Sequence, residues 1–323
     1  GANGRTVIYA FTDRNHFVPA LSGLAPFHAL RDRVTGTHRP VGTNFSQPPA
    51  LALSGDGGTV VLARSGVAII ATAADGWTAT PLPLPGPILF SPPMALNHDG
   101  SILAVSVTDR GAVLTNLVTG ASLALPAQAD GPAPASELRL TPSGRRLLAR
   151  LSPSGAWFWL DFETGVSRAL NRRPDGTLHD LSDPRMDDAG RFLVFRSQDD
   201  DLVPGDRNGA MDVFLLDLRH DTLSLLSRGP DGRSPAGLSL TPGISGDGRW
   251  VAFLSSAALV DGDVNGLPDV YLTPVEPWLP LRLLGIHRHA DGTLRLPWRG
   301  PSGPPRPLAA SGTPAGPWAP PAP

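Results

Sequence analysis

The chain has 323 residues, 41% of them apolar and 17% charged, with a formal net charge of −2. That is ample material for a buried core, so global disorder is excluded, and the missing basic surplus argues against nucleic acid as a partner because phosphate neutralisation dominates such binding. Cys is absent and all 27 basic residues are Arg, which excludes disulfides, thiolate metal sites, cysteine nucleophiles and Lys-dependent Schiff-base or P-loop chemistry.

The 36 Gly and 36 Pro argue for many short strands joined by tight turns. No apolar run reaches the roughly 18 residues that a membrane-spanning helix needs. The chain begins Gly1-Ala2-Asn3, and the expectation is a mature, extracytoplasmic protein, in the periplasm or at the cell surface, after removal of a signal peptide.

Taken in order, strand-like runs each follow an Asp-Gly turn or a close variant. The turns are Asn3-Gly4, Asp56-Gly57, Asp99-Gly100, Ser143-Gly144, Ala189-Gly190 and Asp247-Gly248. The runs after them are Thr6 to Phe11, Thr59 to Ala63, Ile102 to Val107, Arg146 to Leu151, Phe192 to Arg196 and Trp250 to Leu254. Asp-Gly between apolar runs predicts hairpins with type I′ turns, in which both central residues take positive φ. Further strands follow, such as Val213 to Leu216, Val270 to Leu272, Ser122 to Leu125 and Thr222 to Leu226, with turns at Gly36, Gly120 and Gly165. The unit is four antiparallel strands at a period of about forty residues, which is the pattern of a propeller blade.

The predicted fold is therefore all-β: a six-bladed β-propeller of four-stranded antiparallel blades, residues 1–296, followed by an extended Pro-rich tail, 297–323. The blades are placed at 4–45, 46–87, 88–131, 132–178, 179–234 and 235–292. Blade one lacks its first strand, and Thr293 to Trp298 is the segment expected to close the ring. Continuous apolar runs such as Val60-Val61-Leu62-Ala63 and Phe192-Leu193-Val194-Phe195 fit strands covered on both faces. Trp157, Trp159 and Trp250 are expected in the core between blades.

Ser245-Gly246-Asp247-Gly248-Arg249-Trp250-Val251-Ala252-Phe253 resembles the S-x-D-G-R-x-[VI]-A-F signature of TolB-like propeller repeats. Leu202-Val203-Pro204-Gly205-Asp206-Arg207-Asn208-Gly209, running on to Asp212-Val213-Phe214, is similar to a loop-and-strand variant of bacterial exported proteins. The resemblance spans about 4–292 and implies a platform for proteins or small ligands in the bacterial envelope. Asn97-His98-Asp99-Gly100 and Thr141-Pro142-Ser143-Gly144 depart from the signature.

A duplicated D-x-N-G-x-x-D loop is the sharpest chemical feature. Asp206, Asn208 and Asp212 form one copy, and Asp263, Asn265 and Asp269 the other. Side-chain oxygens at this spacing, with a Gly for the turn, suit a hard cation such as Ca²⁺ or serve as Asx-turn caps without metal. The equivalent stretch Phe17 to Phe27 has none of these groups. Asp199-Asp200-Asp201 reads as a solvated acidic loop, and His287 and His289 as exposed loop histidines. No G-x-S-x-G or H-E-x-x-H motif occurs, so no catalytic residue is assigned. The tail offers Pro304, Pro305, Pro307, Trp318, Pro320 and Pro321 as a partner-binding segment. The expected role is a non-enzymatic scaffold or accessory subunit of an envelope complex, with protein partners and no cofactor beyond Ca²⁺. The alternatives are a metal-dependent hydrolase or lactonase, and a small-ligand or glycan binder.

Overall fold

The computed structural model describes residues 5–11, 27–41, 50–64, 66–88, 92–125, 133–260, 263, 267–275, 282–283, 287–288, 294–299 and 306–309. Among them there is no helix, and so none long and apolar enough to cross a membrane. The chain divides into two compact units, Gly1–His179 and Asp180–Pro323, a boundary that falls where the fifth repeat was expected to begin.

In the first unit β1 (Thr6–Phe11), β2 (Phe27–Asp32) and β3 (His38–Val41) form a three-stranded sheet. Three four-stranded sheets follow: β4 (Ala50–Leu53) to β7 (Thr80–Pro81) with β5 (Thr59–Arg64) and β6 (Val67–Thr72); β8 (Met94–Leu96), β9 (Ile102–Val107), β10 (Gly111–Asn116) and β11 (Ser122–Ala124); and β12 (Ala135–Leu140), β13 (Arg146–Leu151), β14 (Trp157–Asp161) and β15 (Ser167–Ala169). The second unit holds β16 (Ser182–Met186), β17 (Phe192–Ser197), β18 (Asp212–Asp217) and β19 (Thr222–Leu225), then the three-stranded sheet β20 (Ser239–Ile244), β21 (Trp250–Ser255) and β22 (Asp269–Pro274). In each of these sheets, successive strands pair antiparallel, which is the meander of a propeller blade.

A last sheet contains β23 (Arg282–Leu283), β24 (His287–Arg288), β25 (Leu294–Arg299) and β26 (Arg306–Ala309). The expected closing strand, Thr293 to Trp298, falls in β25, whose partners among the described residues are β23, β24 and β26. Part of the tail thus pairs locally, Trp298 opposite Arg306. Closing this short hairpin costs far less chain entropy than reaching back across most of the sequence.

The Asp-Gly turns are not type I′. Gly57, Gly100, Gly144, Gly190 and Gly248 have φ between +64° and +76°, whereas the residues before them are not in the left-handed region. The Gly57 N–H donates to Ser54 O (3.0 Å) and the Ser54 N–H to Thr59 O (2.9 Å), so the loop is longer than a two-residue hairpin, with Gly at its left-handed position. A side-chain oxygen fixes it. Ser54 Oγ accepts the Thr59 N–H (2.9 Å) and donates to Asp56 Oδ1 (2.6 Å), which accepts the Gly58 N–H (2.8 Å). The other described turns keep this chemistry: Asn97 Oδ1 accepts from Ile102 N (2.8 Å), Thr141 Oγ1 from Arg146 N (3.1 Å), Asp187 Oδ1 from Phe192 N (2.8 Å) and Ser245 Oγ from Trp250 N (3.0 Å).

Within each unit the turns stack sheet on sheet. The Asp56 N–H donates to His98 O (2.8 Å), His98 N–H to Pro142 O (2.7 Å), and Asp188 N–H to Gly246 O (2.9 Å). A Cβ on Gly57 would lie 2.5 Å from Thr6 Oγ1, one on Gly100 2.4 Å from Thr59 Oγ1, and one on Gly144 2.7 Å from Ile102 Cγ1. Each of these glycines therefore admits the first residue of the preceding sheet's inner strand.

The core sits between sheets and obeys the two-residue strand period. Val61 and Ala63 of β5 pack with Leu103 and Val105 of β9, and Val60 and Leu62 with Leu30 of β2. Ile102 and Ala104 pack with Leu147 and Ala149 of β13; Phe192 and Val194 with Val251 and Phe253 of β21. β5 and β9 are buried at every position because a neighbour covers each face. Trp157 is buried as expected, but Trp250 is 46% exposed. It occupies the position that Ile102 fills in β9, on a face that no described sheet covers.

Asp217, buried at the end of β18, receives Arg191 Nη2 (2.8 Å) and lies 2.8 Å from His220 Nδ1. Burial raises its carboxyl, but the hydrogen bonds from Arg191 and His220 outweigh this and hold it below the usual carboxylate range.

Two stability outcomes follow from this geometry. Gly144→Ala combines a left-handed φ of +76° with a clash against Ile102, whereas Gly165→Ala at +70° meets nothing within 4 Å. The second is expected to cost about 1 kcal/mol and the first about 2–4 kcal/mol, as separated thermal melts. Because Asp217 is depressed in the folded state, its contribution is complete above the unfolded carboxylate value of about 4 and is lost as pH falls through the folded one. Asp217→Asn should therefore lower the melting temperature at pH 7 and flatten its acid decline below about pH 4.

Candidate functional site

β17 ends at Ser197 and β18 starts at Asp212, so the first D-x-N-G-x-x-D copy lies in the loop between two fully paired strands. That anchoring is why polar residues here can be buried. Asp206 is 2% exposed and Asp212 1% exposed. Asp206 Oδ1 accepts the Ser234 hydroxyl (3.0 Å). Asp212 Oδ1 accepts the Ser227 hydroxyl (2.6 Å), and Ser227 Oγ in turn accepts the Val213 N–H (2.9 Å). Asp212 Oδ2 is buried and has no hydrogen-bond partner.

The two carboxylates act on each other. Burial pushes the Asp212 carboxyl up to about 7; the Ser227 hydrogen bond opposes this and the charge of Asp206 adds to it. Burial likewise raises Asp206, and the charge of Asp200 adds to that rise. Asp200, exposed at the rim, accepts the Gly209 N–H (3.0 Å).

Of the three residues expected as ligands in this copy, Asp206 and Asp212 converge. Asn208 is committed to the loop: its Nδ2 donates to Pro235 O (2.9 Å) and its Oδ1 accepts the Ala210 N–H (2.8 Å). Asp199, read as solvated, accepts the Asp180 N–H (2.7 Å). Among the described residues no group of three carboxylate or imidazole side chains gathers around one point.

The second copy differs. Asp263 Oδ2 accepts the hydroxyl of Tyr271 (2.6 Å), and Asp269 is half-buried at the start of β22. Asn265 lies outside the described residues. Tyr271 occupies the position that Phe214 holds in β18, and both rings stack on an equivalent partner, Tyr271 on Phe253 (5.8 Å) and Phe214 on Phe195 (5.5 Å). At this position the first copy lacks the hydroxyl. His289, Pro304, Pro305, Trp318, Pro320, Pro321 and most of the control stretch Phe17 to Phe27 lie outside the described residues, while His287 falls in β24 and Pro307 in β26, opposite Pro297.

Ser227, Ser234 and Tyr271 were not singled out from sequence. The β18–β19 register, Phe214 opposite Leu225, would have put Ser227 across from Asp212. A separate open cleft of about 680 Å³ in the first unit is lined by Leu30, Trp77 and Arg5, whose guanidinium is held by Asp32 at 2.8 Å.

No protein-family model matches the chain, and no curated protein matches it. Among solved structures it is similar to the tricorn protease (14% identity, TM-score 0.45, over 79% of this chain and 26% of that one). It is also similar to the β-propeller domain of Myceliophteria thermophila Cps50 (Swd1), at 16% identity and TM-score 0.44 over 88% and 81%, and to TolB from Acinetobacter baumannii, at 13% identity and TM-score 0.41 over 93% and 63%. The chain thus spans about a quarter of the length of the tricorn protease.

Ser227 is fully buried, and its hydroxyl donates to Asp212 Oδ1 at 2.6 Å. Ser227→Ala is expected to destabilise the protein by about 2–3 kcal/mol, read by urea unfolding, because it strands both the carboxylate and the Val213 N–H.

Proposed function

We propose that this chain is a non-enzymatic propeller-type scaffold, an accessory subunit of an extracytoplasmic complex, that binds a protein partner presenting an apolar sheet face. The reading is supported by the face of the β20–β22 sheet that carries Trp250, Val270 and Leu272, which are 46%, 77% and 65% exposed. The register places them together: Trp250 opposite Pro274, Ala252 opposite Leu272, Leu254 opposite Val270. In β9 and β17 the same face, Ile102 with Ala104 and Phe192 with Val194, is at most 7% exposed because the next sheet covers it. The surface therefore has the chemistry that this chain elsewhere closes with a second sheet. Covering a Val or Leu of this kind is worth about 1.5–3 kcal/mol each, so an exposed apolar face on a folded protein signals an interface.

The measurement is native mass of the full chain extracted from its source, with co-eluting chains identified, repeated for the double variant Val270→Glu, Leu272→Glu. The expected result is elution in an assembly of fixed stoichiometry that the double variant loses while keeping its melting temperature. Elution as a free monomer, with the double variant melting several degrees lower, would overturn the proposal and assign this face to packing within the chain.

A further inference from the structure

We infer that the loop between β17 and β18 is a Ca²⁺ site in which the Asp206 and Asp212 carboxylates hold the ion directly and Asp200 adds charge from the rim, and that the matching loop before β22 is not. The inference stands apart from the scaffold reading and uses none of the β20–β22 surface.

The first support is the state of Asp212. Its carboxylate is 1% exposed, and one oxygen has neither a donor nor water-facing surface. A buried carboxylate oxygen left without a donor is costly, and the neighbouring buried Asp206 makes it costlier. A cation between the two removes both penalties. The side-chain donors available are all oxygen: the two carboxylates, with the carboxylate of Asp200 at the rim. Oxygen-only sites of mixed carboxylate, carbonyl and water ligands are the chemistry of Ca²⁺ and do not suit metals that select nitrogen or sulfur.

The second support is the internal comparison. Both loops carry the same D-x-N-G-x-x-D spacing ahead of the same strand. In the second, the Tyr271 hydroxyl donates to Asp263 at 2.6 Å, filling the acceptor that a cation would use. In the first, Phe214 stands at that position and supplies no donor; Asp206 Oδ1 instead accepts the Ser234 hydroxyl (3.0 Å), and the oxygen left without a donor is Asp212 Oδ2. Asn208 shapes the loop, its Nδ2 donating to Pro235 O and its Oδ1 accepting the Ala210 N–H.

The test is calorimetric titration of the chelator-dialysed full chain with CaCl₂, paired with thermal melts of the wild type, Asp212→Asn, Asp206→Asn and the control Asp263→Asn. One saturable Ca²⁺ site is expected, with a melting temperature several degrees higher at about 100-fold excess over Kd. That rise should persist in Asp263→Asn and vanish in Asp212→Asn and Asp206→Asn, with Asp212→Asn melting no lower than wild type in chelator. An absence of heat and of any melting shift at millimolar Ca²⁺ would overturn the proposal and leave the pair as two acids sharing a proton. Loss of the shift in Asp263→Asn would overturn it equally, by moving the site to the other loop.

Discussion

The structure depends on one hydrogen bond repeated from sheet to sheet: at five described turns a side-chain oxygen at the head of the turn accepts the N–H of the residue that opens the inner strand. It fixes the turn's length, which fixes where the strand starts and hence which side chains face which neighbour. A slip of one residue would move every apolar side chain to the opposite face. Because both faces of strands such as β5 and β9 are covered, hydrophobicity alone would not detect such a slip there. The polar turn sets the register that the apolar core cannot.

The same bond explains why the turns vary without the fold varying. Ser54, Asn97, Thr141, Asp187 and Ser245 share no single side chain, yet each offers an acceptor at the same place. The glycine is less negotiable. It takes a left-handed φ and lies against the preceding sheet, so steric and conformational demands coincide on one residue.

Strand starts were legible because they are tied to these turns: Thr6, Thr59, Ile102, Arg146, Phe192 and Trp250 open strands as read. The turn type was misread because Asp-Gly was taken with its two-residue hairpin preference, and the side-chain acceptor upstream was not weighed. Trp250 was assigned to the core on residue type, yet its burial depends on whether another sheet follows, a fact no local pattern contains. At the candidate site the sequence pointed to Asp206 and Asp212 but ranked Asn208 beside them. Spacing cannot say that both ends of an amide are already bonded to the loop. Nor could it foresee the Tyr271–Asp263 hydrogen bond, since the motif ends before that tyrosine.

That position holds a ring with or without a hydroxyl. Phe214 and Tyr271 fill the same stacked position, each ring on the aromatic ring of the neighbouring strand. What changes is the donor: Tyr271 answers Asp263, and Phe214 has no hydroxyl to give. In a duplicated repeat the same acid can thus find its donor on the strand that follows, as Asp263 does with Tyr271, or on a different loop, as Asp206 does with Ser234. A scan for the acidic motif alone would count both copies as equivalent; how each acid is hydrogen-bonded is decided by residues outside the motif.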